Sequence, residues 1–400
     1  MPAVTFTTRG ALGKSSLREA NERLILYTIL RRPGISRLEL ARHSGLSPSA
    51  MTIIIDRLQT GGWVREEEPL KQARVGRRPS GLRVRPESRL ALGVEISPFE
   101  ATATLCDLHG EVVQERSLAA TRNAESFLTK IHGVIRGLVN AAGPNMLGVG
   151  ISIPGNIDQA TGTVIAATNM HWRNLDALRL LRQDLGVPFY CENNSNLAAL
   201  AERWFNLEAL NDFVFVTLRA GLGTGIISAG ALIRGSANRA GEFGHSVIHP
   251  EGRHCLCGNR GCWEEYASDR ALVRMYEERG GTQGLTSLQI VERARQDDAV
   301  ASGALQDAAG ELALGFVNLA MALNPAAIVV DDFAAAGWDL IENRVWQGLR
   351  DRVPEYWLEG LRIFPSRHAT HSSLRGAVAL VLSKYFADFG RGSEMRMAAV

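Results

Sequence analysis

A pattern of strands and helices occurs twice in this chain of 400 residues, and it constrains the fold more than any other feature. Short apolar and β-branched runs predict strands at 92–96, 101–106, 112–118 and 147–153, with a helix at 124–140. A second set predicts strands at 213–218, 224–228, 231–234, 328–330 and 361–364, with a closing helix at 373–388. Three meandering strands followed by alternating helices and strands, twice over, predict a duplicated α/β fold with a cleft between two lobes.

The start of the chain differs from the rest in both pattern and charge. Residues 1–85 carry 16 Lys and Arg against 7 Asp and Glu, a balance of +9; since the whole chain has a net charge of +2, the remainder carries −7. Helical periodicity, a capping box at Ser36 and Glu39 and a helix start at Ser47 predict three short helices. Two short strands then enclose an arginine-containing loop. These features predict a winged helix-turn-helix over 15–86, with DNA as the partner that suits its charge.

The third helix of this module is expected to enter the major groove, and the loop to contact the minor groove or phosphates. Small side chains near the start of the helix allow close approach to base edges. The predicted DNA-contacting residues are Ser47, Ser49, Ala50, Thr52, Ile53 and Arg57 on the helix and Arg74, Arg77 and Arg78 in the loop. Met51, Ile54 and Leu58 are assigned to the core of the module. A protein-interaction module with a solvated basic loop is the alternative interpretation.

Three of the five cysteines lie within eight residues, as Cys255-x-Cys257-x4-Cys262. An odd number of cysteines at this spacing argues against a disulfide framework and indicates a metal site. Three thiolates and one histidine would form a closed tetrahedral zinc site with a structural role. The candidates for the fourth ligand are His245, His249 and His254, of which His254 is sterically unfavourable because it adjoins Cys255. A loop of free thiols is the alternative.

No uninterrupted apolar run reaches the roughly 18 residues expected of a membrane span. The first residues lack a charged segment followed by an apolar run, so that no secretion signal is predicted. The protein is therefore expected in the cytoplasm.

The motifs GEFGH at 241–245 and CLCGNRGCWEEYAS at 255–268 resemble the signature of the ROK family (repressors, open reading frames, kinases) of bacterial sugar kinases and sugar-responsive repressors. The resemblance extends over almost the whole chain. It implies an actin-like, ribonuclease-H-like duplicated fold over 87–400, with one lobe from about 87–200 and the C-terminal helix and the other from 201–385. It also implies His245 as the fourth ligand, and so one structural Zn²⁺ held by His245, Cys255, Cys257 and Cys262.

The resemblance further implies a sugar site between the lobes. The matching positions are Gly155, Asn156, Thr168, Asn169, Asn193, Asn194, Glu242, His245 and Glu264. Side chains rich in hydrogen-bond acceptors suit a polyhydroxylated ligand, and zinc would fix the loop between Glu242 and Glu264. Surface charges beside a zinc loop are the alternative interpretation of these two glutamates.

Four departures from the pattern of the family's kinases predict that no phosphoryl group is transferred. Residues 95–99 (EISPF) stand where those kinases have a glycine-containing phosphate loop, and Asn194 stands where they have an aspartate as general base. Residues 219–221 (RAG) replace a Gly-Thr-Gly loop. Asp331 and Asp332 replace a Gly-Gly turn near the nucleotide. No catalytic residue is therefore assigned.

Together these features predict a transcriptional regulator of genes for sugar uptake or catabolism. Since repression is the more common mode of regulation in the family, a repressor is expected. A sugar or sugar phosphate in the cleft is expected to control its affinity for operator DNA, with Arg173 and Arg219 as candidate phosphate contacts. The linker at about 78–89 is expected to carry the coupling within a homodimer or tetramer. Two alternatives stay open: a sugar kinase with a DNA-binding head, and a regulator controlled by a protein partner that contacts 384–386.

Overall fold

The first helices begin at the capping signals of the sequence. This computed structural model describes residues 14–67, 81–159, 161–206, 210–219, 221–367 and 371–387. It begins with α1 (Lys14–Arg31), α2 (Arg37–Ser44) and α3 (Pro48–Thr60). The Ser36 hydroxyl accepts a hydrogen bond from the Glu39 amide at 3.3 Å, and the Glu39 carboxylate accepts one from the Ser36 amide at 2.9 Å, which forms the predicted capping box. Ser47 caps α3 in the same way through the Ala50 amide.

A two-stranded sheet completes the winged helix-turn-helix. Strands β1 (Val64–Glu67) and β2 (Gly81–Val84) pair antiparallel, with Val64 opposite Val84. The side chains of Met51, Ile54 and Leu58 are buried, as predicted. The predicted DNA contacts Arg74, Arg77 and Arg78 lie outside the described residues.

The remaining strands are β3 (Leu90–Ile96), β4 (Glu100–Cys106), β5 (Val112–Ala119), β6 (Met146–Ile153), β7 (Asn156–Ile157), β8 (Val164–Ala167), β9 (Trp172–Leu175), β10 (Phe189–Asn193), β11 (Phe213–Thr217), β12 (Gly223–Ser228), β13 (Ala231–Leu232), β14 (Ala327–Val330) and β15 (Arg362–Pro365). The remaining helices are α4 (Ala124–Ala142), α5 (Ala177–Leu181), α6 (Asn194–Phe205), α7 (Glu264–Ala267), α8 (Asp269–Glu278), α9 (Ser287–Arg295), α10 (Ala299–Leu323), α11 (Asp332–Ala336), α12 (Trp338–Arg350), α13 (Glu355–Leu358) and α14 (Ser372–Ala387).

The chain divides into two compact units. The head unit comprises residues up to 90 together with 107–109 and the end of α14 from Leu382, and the body comprises 91–106 and 110–381. Within the head unit the Tyr385 ring stacks on Trp63, with centroids 5.8 Å apart, and Phe386 packs on Tyr27 at 5.6 Å. These contacts account for the aromatic residues at the end of α14. From the sequence, a surface for a protein partner was the alternative interpretation of these residues.

The duplication predicted from the strand pattern is confirmed by the two main sheets of the body. The first has the order β10-β6-β3-β4-β5 and the second the order β13-β12-β11-β14-β15. In each sheet the first three strands form an antiparallel meander, and the last two strands, here β6 with β10 and β14 with β15, pair in parallel. The sheet β7-β8-β9 and strand β10 were not predicted.

Among the described residues, no helix has the length and apolar character that a membrane span requires.

Helix α14 lies directly on the first sheet of the body, because two glycines allow close contact. A Cβ added at Gly150 on β6 would lie 2.0 Å from the carbonyl oxygen of Ala377. The second glycine is Gly93 on β3, where an added Cβ would lie 2.7 Å from the carbonyl oxygen of Leu374. The C-terminal helix is therefore part of the packing of the first lobe.

Gly150→Ala is expected to lower the free energy of unfolding by about 1–3 kcal/mol, because the added methyl group must displace backbone on α14. Urea denaturation of the purified chain measures this change. Gly133→Ala is the matched control, because nothing lies within 4 Å of its added Cβ on α4, and it should leave stability unchanged or raise it slightly. Equal effects of the two variants would contradict this account of the packing.

Candidate functional site

A cleft of about 470 Å³ lies between the two lobes of the body. The sugar-binding candidates from the sequence all line it: Gly155, Asn156, Thr168, Asn169, Asn193, Asn194, Glu242, His245 and Glu264. The structure therefore brings together residues that are up to about a hundred positions apart in the sequence, in a cleft of the size that takes small-molecule ligands.

Amide side chains from β10 and α6 shape one wall of the cleft. Asn193 caps α6: its Oδ1 accepts a hydrogen bond from the Ser195 amide at 2.8 Å, and its Nδ2 donates to the Gly155 carbonyl at 2.9 Å. The Oδ1 atoms of Asn156 and Asn196 are buried and accept no hydrogen bond from any described residue. Buried acceptors of this kind are uncommon and are available to ligand hydroxyls. Asn196 was not among the residues predicted from the sequence, although its position three residues after Asn193, at the start of a helix, was the available signal.

The cluster of cysteines and one histidine lies next to the cleft. The Cys255 sulfur is 3.6 Å from His245 Nδ1, and the Cys257 and Cys262 sulfurs are 3.7 Å apart. The four ligand atoms all lie within 4.8 Å of one another, so that the cluster could hold a metal ion. Cys257 also lines the cleft.

The two other candidate histidines have different surroundings. His249 Nε2 lies 2.8 Å from the Glu311 carboxylate, and its ring packs on Tyr266 at 4.4 Å. His254 forms a backbone bridge with Arg260. Of the three histidines considered from the sequence, only His245 is grouped with the cysteines among the described residues.

Glu264 connects the cysteine cluster to the floor of the cleft. Its side chain is buried; one carboxylate oxygen lies 2.9 Å from the Cys255 sulfur, and the other accepts a hydrogen bond from the Leu222 amide at 3.4 Å. Glu242 is half-buried, with its carboxylate 3.8 Å from His245 Nε2. Burial raises the pKa of the Glu242 carboxyl above its ordinary value, and nearby Glu264 adds to the rise. Both glutamates line the cleft.

Arg219 lines the cleft and forms ion pairs with two carboxylates of its own chain. Its guanidinium lies 3.1 Å from Glu95 on β3 and 3.2 Å from Asp332 on α11, and the Asp332 carboxylate also accepts the Leu218 amide at 2.8 Å. Ser373 donates a further hydrogen bond to Glu95. Arg219, a candidate phosphate contact from the sequence, is thus held by carboxylates of its own chain. Arg173, the other candidate, is exposed on β9 and does not line the cleft.

The backbone of this region retains a conformation that favours glycine. Asp332 has a φ of 54°, in the left-handed region that few residues other than glycine and asparagine or aspartate adopt. Ala220, the central residue of the second altered loop, lies outside the described residues.

Two further aspartates lie next to these ion pairs: Asp331, which is buried, and Asp269, which is partly buried. Burial, reinforced by the charge of Asp332, raises the pKa of Asp331 to about 7, and the same causes raise the pKa of Asp269 to about 7. The Ser372 hydroxyl donates to one Asp331 oxygen at 2.5 Å, whereas the other accepts no hydrogen bond from a described residue. The cluster therefore favours a protonated Asp331.

Asp331→Asn is expected to raise the Tm at pH 8 by about 2–4 °C and at pH 5 by a smaller amount. The folded chain holds the Asp331 proton up to about pH 7, whereas an unfolded aspartate releases it near 3.8, so that stability falls as the pH rises between these values. Thermal unfolding at both pH values measures the effect. Asp351→Asn, at an exposed position, is the control. If the Tm of Asp331→Asn exceeds that of the wild type by the same amount at pH 5 as at pH 8, the assignment is wrong.

The candidate DNA-contacting residues of α3 form an exposed surface on the head. Ser47, Ser49 and Thr52 are exposed, and Ile53 keeps 54% of its surface accessible although it is aliphatic. Arg57 Nη1 lies 2.9 Å from Glu22 on α1 in an exposed ion pair, which is weak enough to be exchanged for a phosphate. The buried side chains Met51 and Ile54 point to the other face of the helix.

Each of the two parts of the chain matches a known protein family. Residues 91–384 match the ROK family, and residues 18–65 match the family described as winged helix-turn-helix DNA-binding. A putative xylose repressor from Caldicellulosiruptor sp. (strain Rt8B.4) is 29% identical over 389 residues, which covers 93% of this chain and 97% of that protein.

Two solved structures show the same fold. A crystal structure of a ROK family transcriptional regulator, a homologue of the E. coli MLC protein, superposes with a TM-score of 0.80 at 22% identity, over 94% of this chain and 98% of that one. A ROK family glucokinase from Streptomyces griseus, in complex with glucose and AMPPNP, superposes with a TM-score of 0.65 at 30% identity, over 73% of this chain and 98% of that one. The regulator matches nearly the full length of the chain, whereas the kinase matches a smaller part of it.

Proposed function

Because this chain belongs to the ROK family and carries a winged helix-turn-helix ahead of the family domain, we propose that it is a sugar-responsive transcriptional repressor and not a kinase. The observation that carries the proposal is that Arg219 forms ion pairs with both Glu95 and Asp332. The Arg219 guanidinium and its two carboxylate partners would occupy the region where a kinase binds the phosphates of its nucleotide. The cleft still has side chains that can form hydrogen bonds with a sugar. Asn194, which lines the same cleft, cannot accept a proton as an aspartate would.

The charges in the cleft favour a neutral sugar over a sugar phosphate. The charged residues that line it are Glu95, Glu100, Glu242, Glu264, Arg219 and Arg239. Four carboxylates against two guanidinium groups repel an anionic ligand, and Arg219 is already paired. Xylose is the first candidate, since the relative from Caldicellulosiruptor that matches the chain end to end is named a putative xylose repressor.

Zinc is the metal that best fits the cysteine cluster. Zinc–sulfur bonds of about 2.3 Å and zinc–nitrogen bonds of about 2.05 Å in a regular tetrahedron give sulfur–sulfur edges of about 3.8 Å and sulfur–nitrogen edges of about 3.6 Å. The separations of 3.7 Å for Cys257 and Cys262 and 3.6 Å for Cys255 and His245 support this assignment. With Nδ1 as the ligand, the ring of His245 would present Nε2 beside Glu242, so that the metal orients a sugar-binding group.

The exposed face of α3 is proposed to read the major groove, with contacts from Ser47, Ser49, Ala50, Thr52, Ile53 and Arg57. Exposed Ile53 suits the methyl group of a thymine. Arg74, Arg77 and Arg78 are proposed to contact phosphates or the minor groove. A homodimer would place two such heads on two half-sites of an operator in the cytoplasm, and binding of sugar to the body would change the affinity for that operator.

The proposal is tested by selecting duplexes for the full-length chain from a randomised DNA library, and then measuring affinity for the selected duplex with and without D-xylose, D-glucose and their phosphates. We expect a specific duplex whose affinity falls steeply with salt and changes at least about fivefold with one neutral sugar. An ATP-turnover assay with the same sugars should give no product. Failure to select any sequence, or sugar-dependent turnover of ATP, would contradict the proposal.

A further inference from the structure

Phe99 is an exposed aromatic side chain at the cleft. Its residue is 76% exposed although it lines the cleft, and it lies on the turn between β3 and β4, beside Pro98. The turn is held by Ser97, whose hydroxyl accepts hydrogen bonds from the amides of Phe99 and Glu100 and donates to the Glu100 carbonyl at 2.9 Å. The turn thus holds the ring in contact with solvent. Exposed apolar area is unfavourable in free energy, and a ligand that covers the ring would remove it from water.

The cleft is larger than one sugar ring. A single pyranose has about the bulk of six water molecules, each of which occupies about 30 Å³ in the liquid. It would leave more than half of the 470 Å³ unfilled. The cleft is not suited to the phosphates of a nucleotide, because Glu95 and Glu100 line it and Arg219 is already paired.

The lining of the cleft offers two kinds of surface. Hydrogen-bonding groups such as Asn156, Glu242 and Glu264 suit the hydroxyl groups of one sugar ring. Phe99 and Pro98 offer an apolar surface instead, and a pyranose ring can lie on such a surface because one of its faces presents mainly C–H groups. A flat aromatic ring contributes large contact area at a small entropic cost, which makes it effective for ligand binding.

We propose that the cleft contains a second sugar subsite formed by Phe99 and Pro98, so that the effector is a neutral disaccharide and not a single monosaccharide. One ring would bind the hydrogen-bonding residues, and the next ring would stack on Phe99. This inference rests on the proposed function, since it assigns the ligand class of the same cleft.

Calorimetric titration of the full-length protein with D-xylose, D-glucose, xylobiose, cellobiose and maltose tests the proposal. We expect at least one disaccharide to bind about tenfold or more tightly than its own monosaccharide. Phe99→Ala should weaken binding of that disaccharide about tenfold and leave binding of the monosaccharide unchanged, whereas Phe99→Tyr should retain both affinities. Tyr356→Ala, which removes a 69% exposed aromatic that does not line the cleft, is the matched control and should change neither.

Three outcomes would overturn the second subsite. If every disaccharide binds no better than its monosaccharide, or if Phe99→Ala weakens both ligands equally, the subsite is absent, while a monosaccharide that releases the protein from DNA would still support the proposed function. If none of the five sugars binds, both the subsite and the proposed sugar response are contradicted. Glu242→Gln is the control for the first subsite, because it should weaken the binding of monosaccharides and disaccharides alike.

Discussion

Cys257→Ser is expected to abolish binding of the proposed zinc ion and, with it, the response of DNA binding to sugar. Cys257 is exposed, so that the substitution leaves no cavity in the body, but it removes one of four ligand atoms that lie within 4.8 Å of one another. Without the metal, His245 and the loop that leads to Glu264 lose their fixed positions beside the cleft. We expect metal content to fall from one ion per chain to less than about 0.1, and sugar to change operator affinity less than about twofold.

Metal analysis and operator titration on the same preparation measure the two effects together. Cys106→Ser is the control, since it makes the same chemical change at a buried cysteine outside the cluster and should retain the metal. Operator affinity in the absence of sugar should be unchanged in both variants, because the head unit contains none of the cluster residues. A Cys257→Ser protein that responds normally to sugar would contradict the role given to the metal.

Thr52→Glu is expected to weaken operator binding about 100-fold. Thr52 is exposed on α3, and among the described residues its hydroxyl donates to the Pro48 carbonyl of its own helix, so that the substitution should not disturb the head. A carboxylate at this position would face the phosphates and base edges of the groove and repel them. Binding titrations on the selected duplex at two salt concentrations measure the loss.

Val113→Glu is the matched control for charge, because it adds the same carboxylate at an exposed position on β5 of the body. It should change operator affinity less than about twofold. Sugar binding should be normal in both variants. If Thr52→Glu and Val113→Glu weaken binding equally, α3 does not form the DNA-reading surface.

Much of the site could be predicted from the sequence because its motifs determine local geometry. The cysteine spacing led directly to the cluster, although from the residues alone three histidines were open, and the resemblance was needed to choose His245. The sheets could be predicted because their strands are apolar runs bounded by turns, whereas β7, β8 and β9 are short and carry little hydrophobic pattern.

Contacts between distant parts of the chain could not be predicted in this way. From the sequence, Asp332 was interpreted only as a replacement of a glycine near the nucleotide. Its partner Arg219 lies 113 positions earlier, and only the folded chain brings the two together. The Oδ1 of Asn196, which accepts no hydrogen bond from a described residue, and the exposed ring of Phe99 likewise follow from the shape of the cleft and not from a motif. The same is true of Tyr385, whose partner Trp63 is more than 300 positions away.

The course of α14 has a consequence for how regulators of this kind can be recombined. The helix is continuous from Ser372 to Ala387, yet its last described residues belong to the head unit while its first ten belong to the body. The head is therefore not an independent cassette that ends near residue 90. A chimera that exchanges heads between relatives must exchange residues 382–387 with them, so that the two ends of the gene are expected to be inherited together.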